Sequence, residues 1–258
     1  MSAASHDWSI LWPALAAGLL VTATHVPLGI QVLRRGIVFI DLAIAQIAGF
    51  GVVLADWLHL EAQGWAVQAC ALSAALAGAL FLTWTDRRWP DVQEATIGVV
   101  FVLAATGALL LLASNPHGGE HLRDLLIGQI LWVTPSRLVI VAIVYAVLLV
   151  VIVVGSIEKR RTLFYVVFAC AATLSVQLVG LYLVFTTLIV PALATRHWGG
   201  YRLAAAAGIA AGGYFLGLVV SALTDLPTGP AIVWIMALVA IGAFCVGGRA
   251  PSPRSRPT

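Results

Sequence analysis

From Leu163 to Arg196 the chain runs for 34 residues with no charged side chain until the last. As one straight helix this stretch would reach ~50 Å at ~1.5 Å per residue, against a hydrocarbon core of ~30 Å. As two crossings it allows roughly 17 residues each, with Gly180 near the middle and Pro191 in the second half. Seven more apolar runs accompany it: Ile10–Gly29, Ile37–Ala55, Ala66–Trp84, Ala95–Ser114, Leu138–Gly155, Leu203–Ala222 and Pro230–Gly247. Charged residues make up only 10% of the chain, whereas soluble domains carry about 25%. With a mean hydropathy of +1.02, the chain reads as an all-α integral membrane protein. No basic segment precedes the first apolar run, where Asp7 sits instead, so a cleaved signal peptide is not expected.

Charge placement decides how the long stretch crosses. With two crossings there are nine spans, and one side collects Arg34, Arg35, Arg87, Arg88, Lys159, Arg160, Arg161, Arg196, Arg202, Arg249, Arg254 and Arg256. That is 12 of the 14 basic residues, with only Arg123 and Arg137 opposite. A single crossing moves the last five and leaves 7 against 7. Basic residues concentrate in cytoplasmic loops, which favours nine spans with the N-terminus outside and the C-terminus in the cytoplasm. Trp8, Trp12, Trp57, Trp65, Trp84, Trp89 and Trp198 fall near span ends, as interfacial belts do. All loops are short, so residues 1–258 form one transmembrane domain, with a Pro/Arg/Ser-rich tail at 249–258 that reads as disordered. Cys70, Cys170 and Cys245 lie in apolar runs without CxxC spacing and point to neither a disulfide nor a metal site.

Several stretches resemble the permease subunits of bacterial zinc/manganese ABC importers, a family related in fold to the cobalamin and siderophore permeases. "PLGIQVLRRGIVFIDLAIAQIAGFG" (Pro27–Gly51) is similar to that family's P-L-G…RR…D-x-x-x-H segment. "EATIGVVF" (Glu94–Phe101), "LLIGQILWVT" (Leu125–Thr134), "VQLVGLYLVFTTLIVPALATR" (Val176–Arg196) and "SALTDLPTGPAIV" (Ser221–Val233) follow in the family's order. The resemblance implies a homodimeric permease in the bacterial inner membrane, served by a cytoplasmic ATP-binding subunit and by a periplasmic or extracellular metal-binding protein. Zinc or manganese would be the cargo, with no permanently bound cofactor. The chain departs from the pattern twice. Ala45 stands where the family has its histidine, with Gln46 beside it. The acidic segment thought to dock the ATPase is replaced by the short basic loop Ser156–Thr162.

Asp41 is the residue on which the functional reading turns. A carboxylate within a span costs ~2.5–3.5 kcal/mol on insertion scales and marks a site unless it is paired. Arg34 and Arg35 stand about two helical turns away, so a structural ion pair is the competing reading. With Gln46, Asp41 would offer an oxygen set suited to harder ions. Gly180, Thr186, Thr187 and Pro191, with Tyr182, are path candidates, because broken helices at membrane depth face protein or a water-filled cavity. In the outer loop His117, Glu120 and His121, followed by Asp124, carry zinc-compatible ligands, although Gly118–Gly119 oppose a helix there. His25 reads as a hydrogen-bonded structural histidine or as a path residue. In the "DLPTGP" turn, Asp225 reads as turn chemistry, and Gly229 permits a positive φ before the last span begins at Pro230. Lys159, Arg160 and Arg161 are candidate ATPase contacts. No P-loop, HExxH or nucleophile triad occurs, so ATP hydrolysis is expected on another chain. The alternatives are a permease for a metal chelate or another small substrate, and a scaffold or sensor of this fold that does not transport.

Overall fold

The computed structural model describes residues 8–58, 65–112 and 130–247. Among them nine α-helices form: α1 (Trp8–Arg35), α2 (Ile40–Trp57), α3 (Trp65–Arg88), α4 (Gln93–Leu112), α5 (Pro135–Val154), α6 (Arg161–Val179), α7 (Leu181–Ala194), α8 (Arg202–Thr224) and α9 (Thr228–Gly247). Single 3-10 turns occur at Pro90–Val92, Ile130–Trp132 and Gly199–Tyr201, and no strand occurs among the described residues. In lipid the backbone must satisfy its own polar groups, and an apolar helix does so within one segment. Eight of these helices are long and apolar enough to cross a membrane; α7, with 14 residues, is shorter.

Burial sorts the helices. α1, α2, α6 and α7 hold most of the buried side chains, whereas α4, α5 and α9 leave most of theirs outside. Leu110, Ile143, Val153 and Val154 are among the exposed apolar residues, a surface suited to hydrocarbon rather than water. α1 packs along α7, α8 and α5; α2 lies against α3, α4 and α6; and α8 pairs with α9. Apolar contact with a neighbouring helix gains little over contact with lipid, so close backbone approach matters more than hydrophobicity. Gly29 shows the consequence. A Cβ there would stand 1.9 Å from the Leu188 carbonyl oxygen, so only glycine lets α1 meet α7 this closely.

The long apolar stretch divides at Gly180, as expected. Gly180 has φ +87° and ψ 160°, a region essentially reserved for glycine. Its N–H donates to the Val176 carbonyl (2.9 Å), and its own carbonyl accepts from Val184 N–H (3.1 Å). The chain reverses here without orphaning the residue's own backbone groups. Pro191 does not share the role of breaker: it lies inside α7, three residues before its end. It withholds one intrahelical donor from Thr187, while its own carbonyl accepts from Thr195 N–H and Oγ1.

Both ends of the α6–α7 hairpin return to one face. Arg161 at the start of α6 meets Asp86 at the end of α3, and Arg34 meets Glu158 just before α6. Arg202, at the start of α8, donates to the Ala192 carbonyl of α7 and shares a cleft with Arg34 and Glu158. The hairpin therefore crosses and returns, which makes the basic residues of these loops one surface.

At the opposite end, the α8–α9 turn is built differently from expectation. Asp225, not Gly229, takes the positive φ (+54°), and α9 begins at Thr228. Ser221 Oγ fastens the turn, donating to the Leu226 carbonyl (2.8 Å) and lying 2.9 Å from Thr228 Oγ1.

Candidate functional site around Asp41

α2 begins without a cap of its own, because Phe39 at the N-cap has no side-chain acceptor. The acceptor comes from another helix: Glu94 Oε1, in the first turn of α4, receives the Phe39 N–H at 3.2 Å. A carboxylate at a helix N-terminus also faces the positive end of the macrodipole. Two residues further along α2 stands Asp41, fully buried, with neither carboxylate oxygen holding a hydrogen-bond partner. The second oxygen of Glu94, Oε2, is likewise buried and unpartnered.

The arginines that might have neutralised Asp41 are turned elsewhere. Arg34 Nη1 bonds Glu158 Oε1 at 3.0 Å. Arg35 Nη2 donates to the carbonyls of Ile157 and Glu158, both at 3.0 Å, and its guanidinium lies 4.4 Å from the Phe164 ring centroid. A structural ion pair with Arg34 or Arg35 thus does not account for Asp41. Ala45, one turn along the same face, is buried, and Gln46 is half-buried. α6, which packs against α2, carries two further unpartnered buried atoms, Thr173 Oγ1 and Gln177 Nε2, one turn apart on one face but ~18–24 Å along the helix from its basic-face start, so they do not join Asp41. Sequence reading did not single out these two, because a threonine and a glutamine in an apolar span carry no signal until their partners are counted.

The remaining candidates spread along the bundle. Gly180 lies at the far end of α6 from the basic face, ~28 Å along its 19 residues, so it does not join Asp41. Thr186 and Thr187 stand midway along α7 with satisfied hydroxyls. Thr186 donates to the Tyr182 carbonyl (2.7 Å), and Thr187 to the Leu183 carbonyl (2.7 Å). Thr187 Oγ1 also lies 2.9 Å from the Tyr214 hydroxyl of α8. The Tyr182 side chain is exposed. His25 is buried, with Nδ1 3.2 Å from the Val21 carbonyl and 3.0 Å from Thr24 Oγ1. His117, Glu120, His121 and Asp124 lie outside the described residues. Among the described ones, no three of His, Cys, Asp and Glu gather as a metal-holding group.

Lys159, Arg160 and Arg161 are exposed and, with Arg87, line a hollow of about 530 Å³ on the basic face. Arg161 is committed to Asp86, at 3.3 Å from the carboxylate and 3.0 Å from the carbonyl. Arg87 bonds Thr162 Oγ1 (2.6 Å). Beneath them Gln93 joins three helices: its Nε2 donates to the Leu82 carbonyl (3.0 Å) and to Tyr165 Oη (3.1 Å), and its Oε1 accepts from Thr85 (2.9 Å). The basic loops are thereby tied to the helix starts that flank Asp41.

This arrangement has recognisable relatives. The profile of the ABC 3 transport family matches residues 7–158 and 155–247, nearly the whole chain. The chain belongs to the ABC 3 transport family. It is 23% identical over 255 residues to a Chlamydia trachomatis protein named "Probable metal transport system membrane protein", covering 88% of this chain and 85% of the relative. Among solved structures, PsaBC from Streptococcus pneumoniae in complex with Fab superposes with a TM-score of 0.74 at 20% identity, over 92% of each chain. A structure described as an inward-facing metal-chelate type ABC transporter gives 0.67 at 15% identity, over 92% of this chain and 85% of the other. At those identities the likeness is one of fold. As an ABC 3 protein the chain is a multi-pass membrane component of a transport system, as its sequence motifs had suggested.

Proposed function

We propose that this ABC 3 protein is the permease subunit of an importer for a divalent transition metal, zinc or manganese, driven by a separate ATPase. The observation that carries the reading is Asp41: a carboxylate with no partner, fully buried at one end of a crossing helix. An isolated buried charge is expensive, and a passing cation would offset it transiently. Thr173 and Gln177 supply further unpartnered polar atoms deeper in the interior. In this reading two copies rock around the path, open to a periplasmic or extracellular metal-binding protein on one side and to the cytoplasm on the other. ATP hydrolysis belongs to the partner chain, which meets the basic face near Lys159 and Arg160. The inner membrane of a bacterium is the setting, with the C-terminus cytoplasmic.

The test is uptake of labelled zinc and manganese by vesicles holding the permease together with its ATPase and binding protein. ATP-dependent accumulation of either metal supports the proposal; accumulation of neither rejects it.

Ala45 favours one alternative specifically. With a methyl group one turn from Asp41, where the family resemblance implies an imidazole, the site is poorer in nitrogen than a zinc site. A small metal chelate would fit that description, and the same vesicles offered chelated metal distinguish it from the bare ion.

A further inference from the structure

On the basic face, a cleft of about 540 Å³ opens between α1, α5 and the start of α8. One wall is apolar and belongs to the last turns of α5, with Leu149, Ile152 and Val153. The rim is cationic: Arg34, Lys159 and Arg202 line it, together with Glu158, which Arg34 and Gln31 already engage. Arg34 and Arg202 repel each other across the cleft, and Arg202 Nε is buried without a hydrogen-bond acceptor. A rim with three basic residues against one acidic residue therefore faces a hollow whose wall is hydrocarbon-like.

We propose that this cleft binds an anionic phospholipid, with its phosphate between Arg34 and Arg202 and one acyl chain along Leu149, Ile152 and Val153. The phosphate would offset the like charges and accept charge-assisted bonds from the two guanidinium groups that line the cleft. The apolar wall belongs to the last turns of α5, a helix long and apolar enough to cross a membrane, so an acyl chain can lie along it. A soluble acidic protein cannot reach along that wall, which is why a lipid suits it better. Bound there, the lipid clips α8 to the α5–α6 loop. The proposal is independent of what the protein transports.

The test is native mass spectrometry of the purified chain titrated with phosphatidylglycerol, phosphatidylcholine or glycerol phosphate. Phosphatidylglycerol should bind at least tenfold more tightly than phosphatidylcholine, and glycerol phosphate should not compete. Each of Arg34→Gln and Arg202→Gln should weaken phosphatidylglycerol about fivefold, the equivalent of ~1 kcal/mol per basic group, and leave phosphatidylcholine unchanged. Equal binding of the two lipids overturns the proposal. So does full competition by glycerol phosphate, which marks a simple anion site. Binding of neither lipid, as when a second copy or an acidic partner protein fills the cleft, overturns it as well. These three comparisons use the wild-type chain and hold even where a variant fails to fold.

Discussion

Asp41 is the residue on which chemistry and stability pull in opposite directions. Its burial without a donor costs free energy, and a cation passing beside it would offset that cost under the proposed function. Asp41→Asn keeps the shape and removes the charge. In reconstituted vesicles it should lower metal uptake by roughly tenfold or more, a barrier change of ~1.4 kcal/mol, while the thermal midpoint in detergent stays level or rises. Wild-type uptake in this variant would assign Asp41 to packing. Ala45→His is the complementary change. An imidazole one turn from the carboxylate, with ~5–6 Å between Cβ atoms, adds a nitrogen donor and should shift selectivity toward zinc in competition uptake against manganese. An unchanged zinc-to-manganese ratio would separate Ala45 from the path.

At the level of elements, the junctions matter more than the helices they join. Gly180 holds a conformation closed to other residues, so Gly180→Ala should cost about 1–3 kcal/mol, visible as a lower thermal midpoint in detergent. Gly29→Ala should be worse, since its Cβ would overlap the α7 backbone rather than a side chain that can turn aside. Gly98→Ala is the control, because nothing lies within 4 Å of its Cβ position. In α4 that change should be neutral or raise stability by about 0.5–1 kcal/mol. If all three melt alike, close approach and backbone conformation are not what limits this bundle. The α2 start behaves similarly: its cap is Glu94 from α4, so the position of Asp41 depends on how α2 and α4 sit together.

For the whole molecule, the gathering of basic loops on one face is the feature with the widest consequence. In a cysteine-free background, Lys159→Cys should label only from the cytoplasmic side and Asp225→Cys only from outside, since the two exposed residues lie at opposite ends. Labelling of both from one side would sink the nine-crossing topology. The docking role follows from what is left over on that face. Arg161 is committed to Asp86, while Lys159 and Arg160 line the hollow without an ion pair of their own among the described residues. Lys159→Glu with Arg160→Glu should weaken co-purification of the ATPase, most clearly at low salt, because exposed charges are screened beyond ~8–10 Å at physiological ionic strength. Undiminished recovery would place the contact on other loops.

The crossings, the break at Gly180 and the family were legible in the residues alone, because hydrocarbon imposes one rule on every segment: apolar, helical and long enough. Charge placement then counted the crossings, since the arginines had to leave the bilayer on one side. That Asp41 is a charge where charges are costly was legible too. Its state was not. Whether Arg34 and Arg35 reach Asp41 or Glu158 depends on where the α5–α6 loop lands, and that depends on helices distant in sequence. The role of Pro191 and the φ of Gly229 were misjudged for a related reason: a proline near a helix end is tolerated when its neighbours supply bonds, and a turn takes its positive φ where packing puts it. The cap from Glu94, the unpartnered Thr173 and Gln177 and the arginine-rimmed cleft have no local signature. They exist only where helices from separate parts of the chain meet, because hydrogen bonding and charge repulsion act between neighbours in space rather than in sequence.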